Sequence, residues 1–540
     1  MAILKIKIHF LFFLFFVTGC VTKETHIQTV ADKAQDAVTV AKPDTMPAFN
    51  KKMISTELSG FFTDAQSSKL KNLYLQNKNI PLWFDSTAYT QAVLLIKSAS
   101  ENGLNPDKYF LNDIIFKKTS INKTTLFDFK QYAELDTLIT KGIKLYCADL
   151  LYGINNRLQK NNRLINSIIC SSVKSNQVLL ISEKCEPNIK LYKTLKKELT
   201  KYRQYAKNKD AYLQITYPAK ALKKGDKSET VILLKRKLSA FGYLPDSCKS
   251  NIFNKNLEST IKKFQATNGL TSDGIAGRYT FAFVNRTPEY YTNTIKINME
   301  RCRRKQNIVT SDGIVINIPE YRLRLYYSDT LAFTAKIIVG KVKKKTPLLK
   351  SNIEYLVFNP CWTVPNSIAV KKMLPKLKND SNYLAKHNMF ICNLSGKEIN
   401  SANIDYSRYS SGNFPYKIFQ RHGASNALGK VKFMFSNKYH IYLHDTPSKY
   451  LFNKDFRTFS SGCIRVQNAM LLAKIILRND SNFTKLSHYL SKGYPEIVKL
   501  KTYIPIQTVY FTCNIDSTRK VHFFKDIYGY DMQILKELEK

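Results

Sequence analysis

The spacing of apolar residues divides the chain into a helical part followed by a β-rich part. Between residues 56 and 215, apolar side chains recur every three or four positions, as at Leu70 and Leu73, which predicts a helical scaffold with Trp83 in its core. From about residue 314 onward, apolar and polar residues alternate, which predicts strands. A chain of 540 residues also exceeds what one core usually needs, so we expect a multidomain α+β protein.

A compact helical unit is predicted between these parts, over residues 216–290. Two amphipathic helices are each followed by a glycine-containing turn; their apolar positions are Val231, Leu234, Leu238, Leu257, Ile261 and Phe264. The segment resembles the small three-helix peptidoglycan-binding domain, and the matching landmarks are Phe264-Gln265, Gly269-Leu270, Asp273-Gly274 and Gly277. Because these landmarks mainly determine a fold, no individual binding residue is predicted from them.

The β-rich part is expected over residues 308–500, with residues 501–540 as a C-terminal segment. The predicted strands are Ile314–Ile318, Tyr321–Leu325, Phe333–Val339, Ile353–Phe358, Val431–Phe435 and His440–Leu443. A Lys- and Asn-rich insertion, residues 364–417, interrupts them and contains a predicted helix at Ile368–Leu377. Such an insertion is either a movable cover over a site or a surface excursion without a role.

The first 20 residues have the order of charged, apolar and small residues that is typical of export signals. Lys5 and Lys7 precede the apolar run Ile8–Val17, which is too short to span a bilayer comfortably. Small residues directly before Cys20 resemble the bacterial lipoprotein signal, which implies a lipid on Cys20. The alternative is an ordinary signal peptide in which that Cys is incidental. The polar residues 21–55 are expected to form a flexible tether.

Composition limits the classes of partner. The formal net charge of +43 favours an anionic partner, although Lys is spread along the chain without a long basic block, and abundant Lys alone explains the charge equally well. Export argues against nucleic acid as that partner. Ten Cys residues in an exported chain permit disulfides, with Cys170 and Cys185 as a candidate pair. No CxxC pair occurs, and neither a metal nor a cofactor is predicted.

His444 and Cys463 are the candidate reactive residues. His444 follows a predicted strand, and Cys463 lies in the run Ser461-Gly462-Cys463-Ile464-Arg465. A thiol is nucleophilic as the thiolate, and a nearby imidazolium, together with the start of the helix predicted from Asn468, would lower its pKa. Gly462 permits a tight turn whose free amides could stabilise an oxyanion. Arg465 could add positive charge or bind a substrate carboxylate.

Each of these residues also has an ordinary structural interpretation. A lone Cys is usually a small buried hydrophobe, and a lone His is usually a hydrogen-bonded core residue. Two other histidines compete for the role of base: His422, which precedes a Gly, and His440, an even step from His444 on the same predicted strand. His444 is preferred because Asp445-Thr446 follows it.

In combination, these residues resemble the signature of the YkuD-type L,D-transpeptidases. His444-Asp445-Thr446 and Ser461–Val466 carry the resemblance. Ser461 stands where the usual form has a His, so no catalytic role is assigned to it. The Ser form and the order of domains are similar to the YcbB-like subfamily, as are Met299–Arg301, Ile318–Leu323, Asn359–Pro365 and Asn426–Gly429. This likeness implies a mostly β catalytic domain with an inserted capping subdomain at residues 364–417.

The resemblance also implies a mechanism. Cys463 would attack the amide before the terminal D-amino acid of a tetrapeptide stem, and an amine of a neighbouring stem would resolve the thioester as a 3→3 cross-link. His444 would be the general acid and base, and the backbone carbonyl of Asp445 would orient its ring. Tyr442 would lie close to the oxyanion site, with Gly462 and Arg465 in support.

Several alternatives stay open at this point. Water in place of the amine would make the chain an L,D-carboxypeptidase, and a protein acceptor would attach that protein to the wall. A non-catalytic wall-binding lipoprotein is a different class, and a papain-like protease normally has Cys before His, the reverse of the order here. The expected partners are peptidoglycan and a membrane reached through the lipid anchor, with the protein facing the periplasm of the cell envelope.

Overall fold

The computed structural model describes residues 48–60, 68–123, 128–155, 162–245, 250–304, 312–478 and 480–540. The expected signal peptide with Cys20, and the tether up to residue 47, lie outside the described residues. The chain divides into two compact units, one up to Asn188 together with Lys536–Lys540, the other Ile189–Leu535. The first is helical and the second combines helices with sheets, which confirms a multidomain α+β protein. In the described ranges, no helix is long and apolar enough to cross a membrane.

The first unit is organised around one long buried helix. Helices α1–α7 are Ala48–Gly60, Ser68–Gln76, Ser86–Lys97, Leu111–Lys123, Phe129–Tyr152, Asn162–Lys174 and Ile181–Cys185. Helix α5 starts after Asp128, whose side chain accepts the N–H groups of the first turn. On its buried face, Asp136 accepts hydrogen bonds from Tyr74 Oη (2.6 Å) and from the N–H of Trp83 (2.7 Å). Trp83 is 3% exposed, which confirms it as a core residue.

The cysteines of this unit are not joined as expected. Cys147, Cys170 and Cys185 are all buried free thiols. The Cys170 thiol faces the carbonyl of Leu73 at 3.9 Å, whereas the Cys185 thiol forms a hydrogen bond with Cys147. The predicted Cys170–Cys185 disulfide is therefore wrong, because Cys185 lies beside a different thiol.

The second unit begins with helices. Helices α8–α12 are Lys190–Tyr205, Glu229–Ala240, Lys255–Thr267, Arg278–Val284 and Pro288–Arg303. Helices α9–α11 share one apolar core. In it, the buried side chain of Gln265 donates to Asp273 Oδ1 (2.8 Å) and accepts from the N–H of Gly274 (2.9 Å). These bonds fix the turn before α11, so the landmark residues have the fold-determining role that the sequence indicated.

A closed β-sheet follows. Strands β1–β4 are Gly313–Asn317, Arg322–Tyr327, Thr330–Gly340 and Lys350–Phe358; strands β9–β13 are Val431–Phe435, Leu443–His444, Thr458–Ser460, Ile464–Val466 and Glu496–Val509. The order is β11-β3-β12-β10-β9-β4-β13-β1-β2, and β2 also pairs with β3. The sheet thus closes on itself around a single apolar core. Helices α16 (Ala469–Leu477) and α17 (Leu486–Ser491) connect β12 to β13.

The insertion forms its own small subdomain. It contains α13–α15 (Asn366–Ile368, Leu374–Asn379 and Tyr383–Lys386), a π-helical segment at Ala369–Met373, and β5–β8 (Trp362–Thr363, Met389–Cys392, Glu398–Ile399 and Lys417–Gln420). Its four strands make a separate sheet over a separate apolar core. The chain leaves the main sheet after β4 and returns to it at β9, so the subdomain is attached to two neighbouring strands.

Two sequence-based boundaries differ from the structure. The strand expected at His440–Leu443 comprises only Leu443–His444, because Asn437 Oδ1 accepts the N–H of Ile441 (3.0 Å) and His440 has a positive φ of 53°. The boundary expected at residue 500 falls inside β13, whose C-terminal half pairs with β1. Strands β14 (Cys513–Ile515) and β15 (Val521–Phe523) and helix α18 (Asp531–Glu539) complete the chain.

The small helical domain contacts the loop that joins β10 to β11. Asp455 Oδ1 accepts from the N–H (2.7 Å) and the Oγ1 hydroxyl (2.6 Å) of Thr271. The next residue, Phe456, packs edge-on against the ring of Tyr279 with the centroids 5.0 Å apart. This loop leads directly to the run that contains Cys463.

Replacing Asp455 tests this contact. We expect Asp455→Ala to lower the free energy of unfolding by about 1 kcal/mol, because two donors lose a charged acceptor at an exposed contact where water can partly replace it. Asp455→Asn keeps an acceptor oxygen and should lose less. Urea denaturation followed by circular dichroism measures both changes, and an Asp455→Ala variant as stable as the wild type would contradict the contact.

Candidate active site

The candidate residues lie on two short parallel strands. β10 pairs with β12, so Leu443 lies beside Ile464 and His444 lies beside Arg465. Leu443 and Ile464 point into the apolar core of the closed sheet. Because side chains alternate along a strand, His444 and Arg465 point to the outer face.

Tyr442 and Cys463 lie on the same outer face as His444 and Arg465, and these four residues form the outer patch. Each lies two residues before His444 or Arg465 on the same segment, and the N–H of Ile464 donates to the Tyr442 carbonyl at 3.1 Å. The rings of Tyr442 and His444 have their centroids 5.7 Å apart. The structure therefore brings four of the residues singled out from the sequence onto one face.

The orientation of His444 is fixed by the residue after it. Its Nδ1 lies 2.6 Å from the carbonyl oxygen of Asp445. A carbonyl can only accept, so Nδ1 carries the hydrogen and Nε2 presents a lone pair. Burial, and then the positive charge of Arg465, lower the pKa of His444 to about 3. The imidazole is therefore neutral at neutral pH, and Nε2 is a proton acceptor.

The Asp445 carboxylate is held away from the imidazole. It accepts the N–H of Lys430 at 3.0 Å and forms an ion pair with Lys449. Gly429 has a φ of +63° and lies so close that a Cβ there would overlap the Asp445 side chain. Asp445 thus contacts the His444 ring through its backbone carbonyl and anchors itself through its carboxylate.

Cys463 follows a tight turn between β11 and β12. Gly462 has a φ of +123°, a conformation that favours glycine. The Ser460 hydroxyl donates to the Cys463 carbonyl (2.6 Å) and accepts the N–H of Gly462 (3.1 Å). The Gly462 amide is therefore not free to bind an oxyanion, and Gly462 contributes the turn alone.

Hydrogen bonds from Thr346 and Tyr528 fix this turn from the other side. Thr346 Oγ1 donates to the Gly462 carbonyl (2.8 Å) and accepts the N–H of Gly340 (2.9 Å). Tyr528 Oη accepts the N–H of Thr346 (3.1 Å) and donates to the Gly340 carbonyl (2.8 Å). The C-terminal segment therefore supports the position of Cys463.

The charge state of the thiol differs from the expectation. Burial raises the pKa of Cys463, while the backbone and hydroxyl of Tyr442, and then Arg465, oppose the rise. The expected lowering is wrong because His444 is neutral and because strand β12 separates Cys463 from the start of α16 at Ala469. The resting thiol is accordingly protonated at neutral pH.

Lys432 belongs to the same patch and was not identified from the sequence. It lies on β9 directly opposite His444, and its Nζ is 5.7 Å from the centroid of the Tyr442 ring. Burial lowers the pKa of this Lys. Its position between the apolar residues Val431 and Phe433 predicts that its side chain points outward from the sheet. That position does not predict that the side chain lies beside His444.

The competing residues lie elsewhere. The imidazole of His440 is exposed, and only its carbonyl approaches the Cys463 thiol, at 4.0 Å. His422 lies beyond β8, where its carbonyl accepts from Asn388 (3.1 Å). Ser461 is exposed. Within the described ranges, no cluster of three or more His, Cys, Asp or Glu side chains could hold a metal ion.

The contact between Tyr442 and the thiol gives a testable prediction. Tyr442→Phe removes a hydroxyl that lowers the pKa of Cys463, so that pKa should rise further. At pH 8 we expect alkylation of Cys463 by iodoacetamide to slow several-fold, since the thiolate is the reacting form. Tyr439→Phe, at an exposed position of the same loop, is the control. Equal alkylation rates in all three proteins would contradict this role of the hydroxyl.

Comparison with protein families places this site in a known domain. Residues 311–482 match the model of the YkuD family, described as "L,D-transpeptidase catalytic domain". Residues 68–199 match a "Scaffold domain" and residues 227–284 match a "Putative peptidoglycan binding domain".

Individual proteins are similar to parts of the chain. A Haemophilus influenzae protein named "Putative L,D-transpeptidase" is 35% identical over 244 residues, which cover 45% of this chain and 49% of that protein. The chain thus spans about half the length of this curated relative.

Two solved structures, both of proteins named as L,D-transpeptidases, are similar to part of the chain. The one from Xylanimonas cellulosilytica is 14% identical with a TM-score of 0.17, covering 54% of this chain and 98% of that one. The one from Stackebrandtia nassauensis is 12% identical with a TM-score of 0.20, covering 54% of this chain and 97% of that one.

On the family matches, the chain carries a YkuD-type L,D-transpeptidase catalytic domain together with a peptidoglycan-binding domain.

Proposed function

We propose that this chain is an L,D-transpeptidase of the YcbB-like subfamily that forms 3→3 cross-links in peptidoglycan through a thioester on Cys463. The observation that carries the proposal is that His444, whose Nδ1 is bound to the Asp445 carbonyl, and Cys463 lie on one face of the YkuD-type sheet, where His444 pairs with Arg465, two residues after Cys463. A nucleophile, a proton acceptor and a group that fixes the acceptor are the parts that acyl transfer needs.

Acylation begins from a neutral thiol and a neutral imidazole. Cys463 Sγ attacks the carbonyl carbon of the amide before the terminal D-amino acid, and the thiol proton passes to Nε2 of His444. That proton then moves to the leaving nitrogen, the C–N bond breaks, and the D-amino acid departs. The Tyr442 hydroxyl, already beside the sulfur, is placed to donate a hydrogen bond to the developing oxyanion.

Deacylation reverses the proton transfers with a new nucleophile. An amine of a neighbouring stem attacks the thioester carbonyl, His444 takes a proton from it, and the C–S bond breaks. The proton returns to the sulfur of Cys463. Because burial lowers the pKa of His444 to about 3, its ring stays unprotonated, and therefore able to accept a proton, well into the acidic range.

The remaining domains support action on the cell wall. The peptidoglycan-binding domain contacts Asp455, which lies in the loop before the Cys463 run, so this loop joins the domain to the site. The net charge of +43 would favour association with the carboxylates of stem peptides and the phosphates of membranes, weakening with salt.

The product of the reaction tests the proposal. Purified protein incubated with disaccharide-tetrapeptide should give a 3→3 dimer and free D-amino acid, detected by mass spectrometry. Tripeptide without dimer would instead indicate an L,D-carboxypeptidase. Neither product, together with a carbapenem that leaves Cys463 unmodified, would favour a non-catalytic wall-binding protein.

Two Cys variants assign the nucleophile. Cys463→Ala should lose activity by at least a thousandfold, because no other group on the patch can form a thioester. Cys361→Ala, at another half-buried thiol, should retain activity. Full activity in Cys463→Ala would contradict the assignment of Cys463 as the nucleophile.

We also propose that a lipid on Cys20 anchors the chain to a membrane in the cell envelope. In cells, wild-type protein should sediment with membranes and take up labelled palmitate. Cys20→Ser should lose the label and the membrane association, whereas Cys361→Ser should keep both. A Cys20→Ser protein that still carries the label would refute lipidation at this residue.

A further inference from the structure

Three polar side chains cross the outer face of the sheet in one transverse row. His444 pairs with Lys432 on one neighbouring strand and with Arg465 on the other. Lys432 is in turn flanked by Val357, and Arg465 by Ile338. Directly paired residues project to the same side of a sheet, so the row places one cation on each side of the imidazole.

Lys432 and Arg465 both lack an anionic partner in the part of the chain that the structure describes. Among the described residues, neither Lys432 nor Arg465 forms an ion pair, and Arg465 Nε is buried without a hydrogen-bond partner. The nearby Asp445 carboxylate does not serve them, because it is bound to Lys449 and the N–H of Lys430. Half-buried cations without a counter-ion are costly to keep unless a ligand supplies the negative charge.

The proposed reaction determines where a negative charge would arrive. The group that protonates the leaving nitrogen must touch that nitrogen, and in this chain it is Nε2 of His444. The leaving group is an amino acid, so its α-carboxylate is separated from the nitrogen by a single carbon. Adjacent strands are about 4.8 Å apart, so cations on the strands flanking His444 lie within reach of that carboxylate.

The geometry points to Lys432 and Arg465 as the binding site for the terminal α-carboxylate of the donor stem, the carboxylate that leaves with the D-amino acid. This inference rests on the proposed function and adds a specificity rule to it. A donor whose next residue is still attached has an amide in place of that carboxylate and would leave both cations unpaired. The pair therefore selects stems that end one residue after the amide to be cleaved.

Two donor stems that differ in one group test the inference. The first is a disaccharide-tetrapeptide with a free terminal carboxylate, and the second is the same compound with a terminal carboxamide. The measured quantity is kcat/KM for release of the terminal residue by the full chain. Wild-type protein should prefer the carboxylate by about tenfold to a hundredfold, as expected for a charge-assisted contact.

Lys432→Met should reduce this preference to about threefold or less, because kcat/KM for the carboxylate stem falls more than kcat/KM for the carboxamide stem. Lys432→Arg keeps the charge and should keep most of the preference. Lys499→Met is the matched control, because Lys499 is an exposed Lys of the same sheet two strands beyond β9. Its preference should be unchanged.

The ratio of the two stems is read on one preparation, so it does not depend on how much of a variant folds. Equal rates for both stems in the wild type would overturn the carboxylate site and leave the proposed transpeptidase standing. If Lys432→Met lowers kcat/KM equally for both stems, Lys432 supports catalysis in general, and the inference is also overturned. If the wild type releases a residue from neither stem, the proposed function fails and the inference fails with it.

Discussion

The hydrogen bond from His444 Nδ1 to the Asp445 carbonyl is the constraint on which the site depends. It joins two consecutive residues at the end of a strand, so the backbone that places the imidazole also selects its tautomer. Burial then keeps the ring uncharged. Because Nδ1 is bound to this carbonyl, Nε2 is left as the proton acceptor of the ring, and acid–base chemistry becomes possible without a carboxylate hydrogen-bonded to Nδ1.

Much of the surrounding structure holds that short segment in place. The carboxylate of Asp445 is fixed by Lys449 and by the backbone at Lys430, and Gly429 lets the chain pass close to it. On the neighbouring strand, hydrogen bonds from Ser460 and Thr346 fix the turn before Cys463. The two halves of the patch are thus positioned by separate networks, which are joined by the pairing of β10 with β12 and by the contact between Tyr442 and the Cys463 thiol.

The sequence alone was enough to single out the candidate reactive residues, because the neighbours that form a motif are close together in the chain. Cys463 and His444 each lie in a short sequence motif, and the chemistry of these motifs can be predicted without knowing the fold. The position of Lys432 next to His444 cannot be predicted from a motif, since it results from the register of two paired strands. The charge state of the thiol was mispredicted for the same reason: burial comes from distant segments, and the helix expected behind Cys463 is preceded by a strand. The shortened β10 likewise depends on the side chain of Asn437, which no alternation of apolar residues reveals.

The most direct test of this account is the protonation state of His444 in the resting protein. Nitrogen-15 NMR of histidine-labelled protein, with the signal assigned through a His444→Gln variant, distinguishes the two ring nitrogens. We expect a protonated Nδ1 and an unprotonated Nε2 at pH 7, unchanged down to about pH 5, since the pKa of His444 is about 3. An imidazolium with both nitrogens protonated at pH 7 would contradict it, because Cys463 would then act as a preformed thiolate.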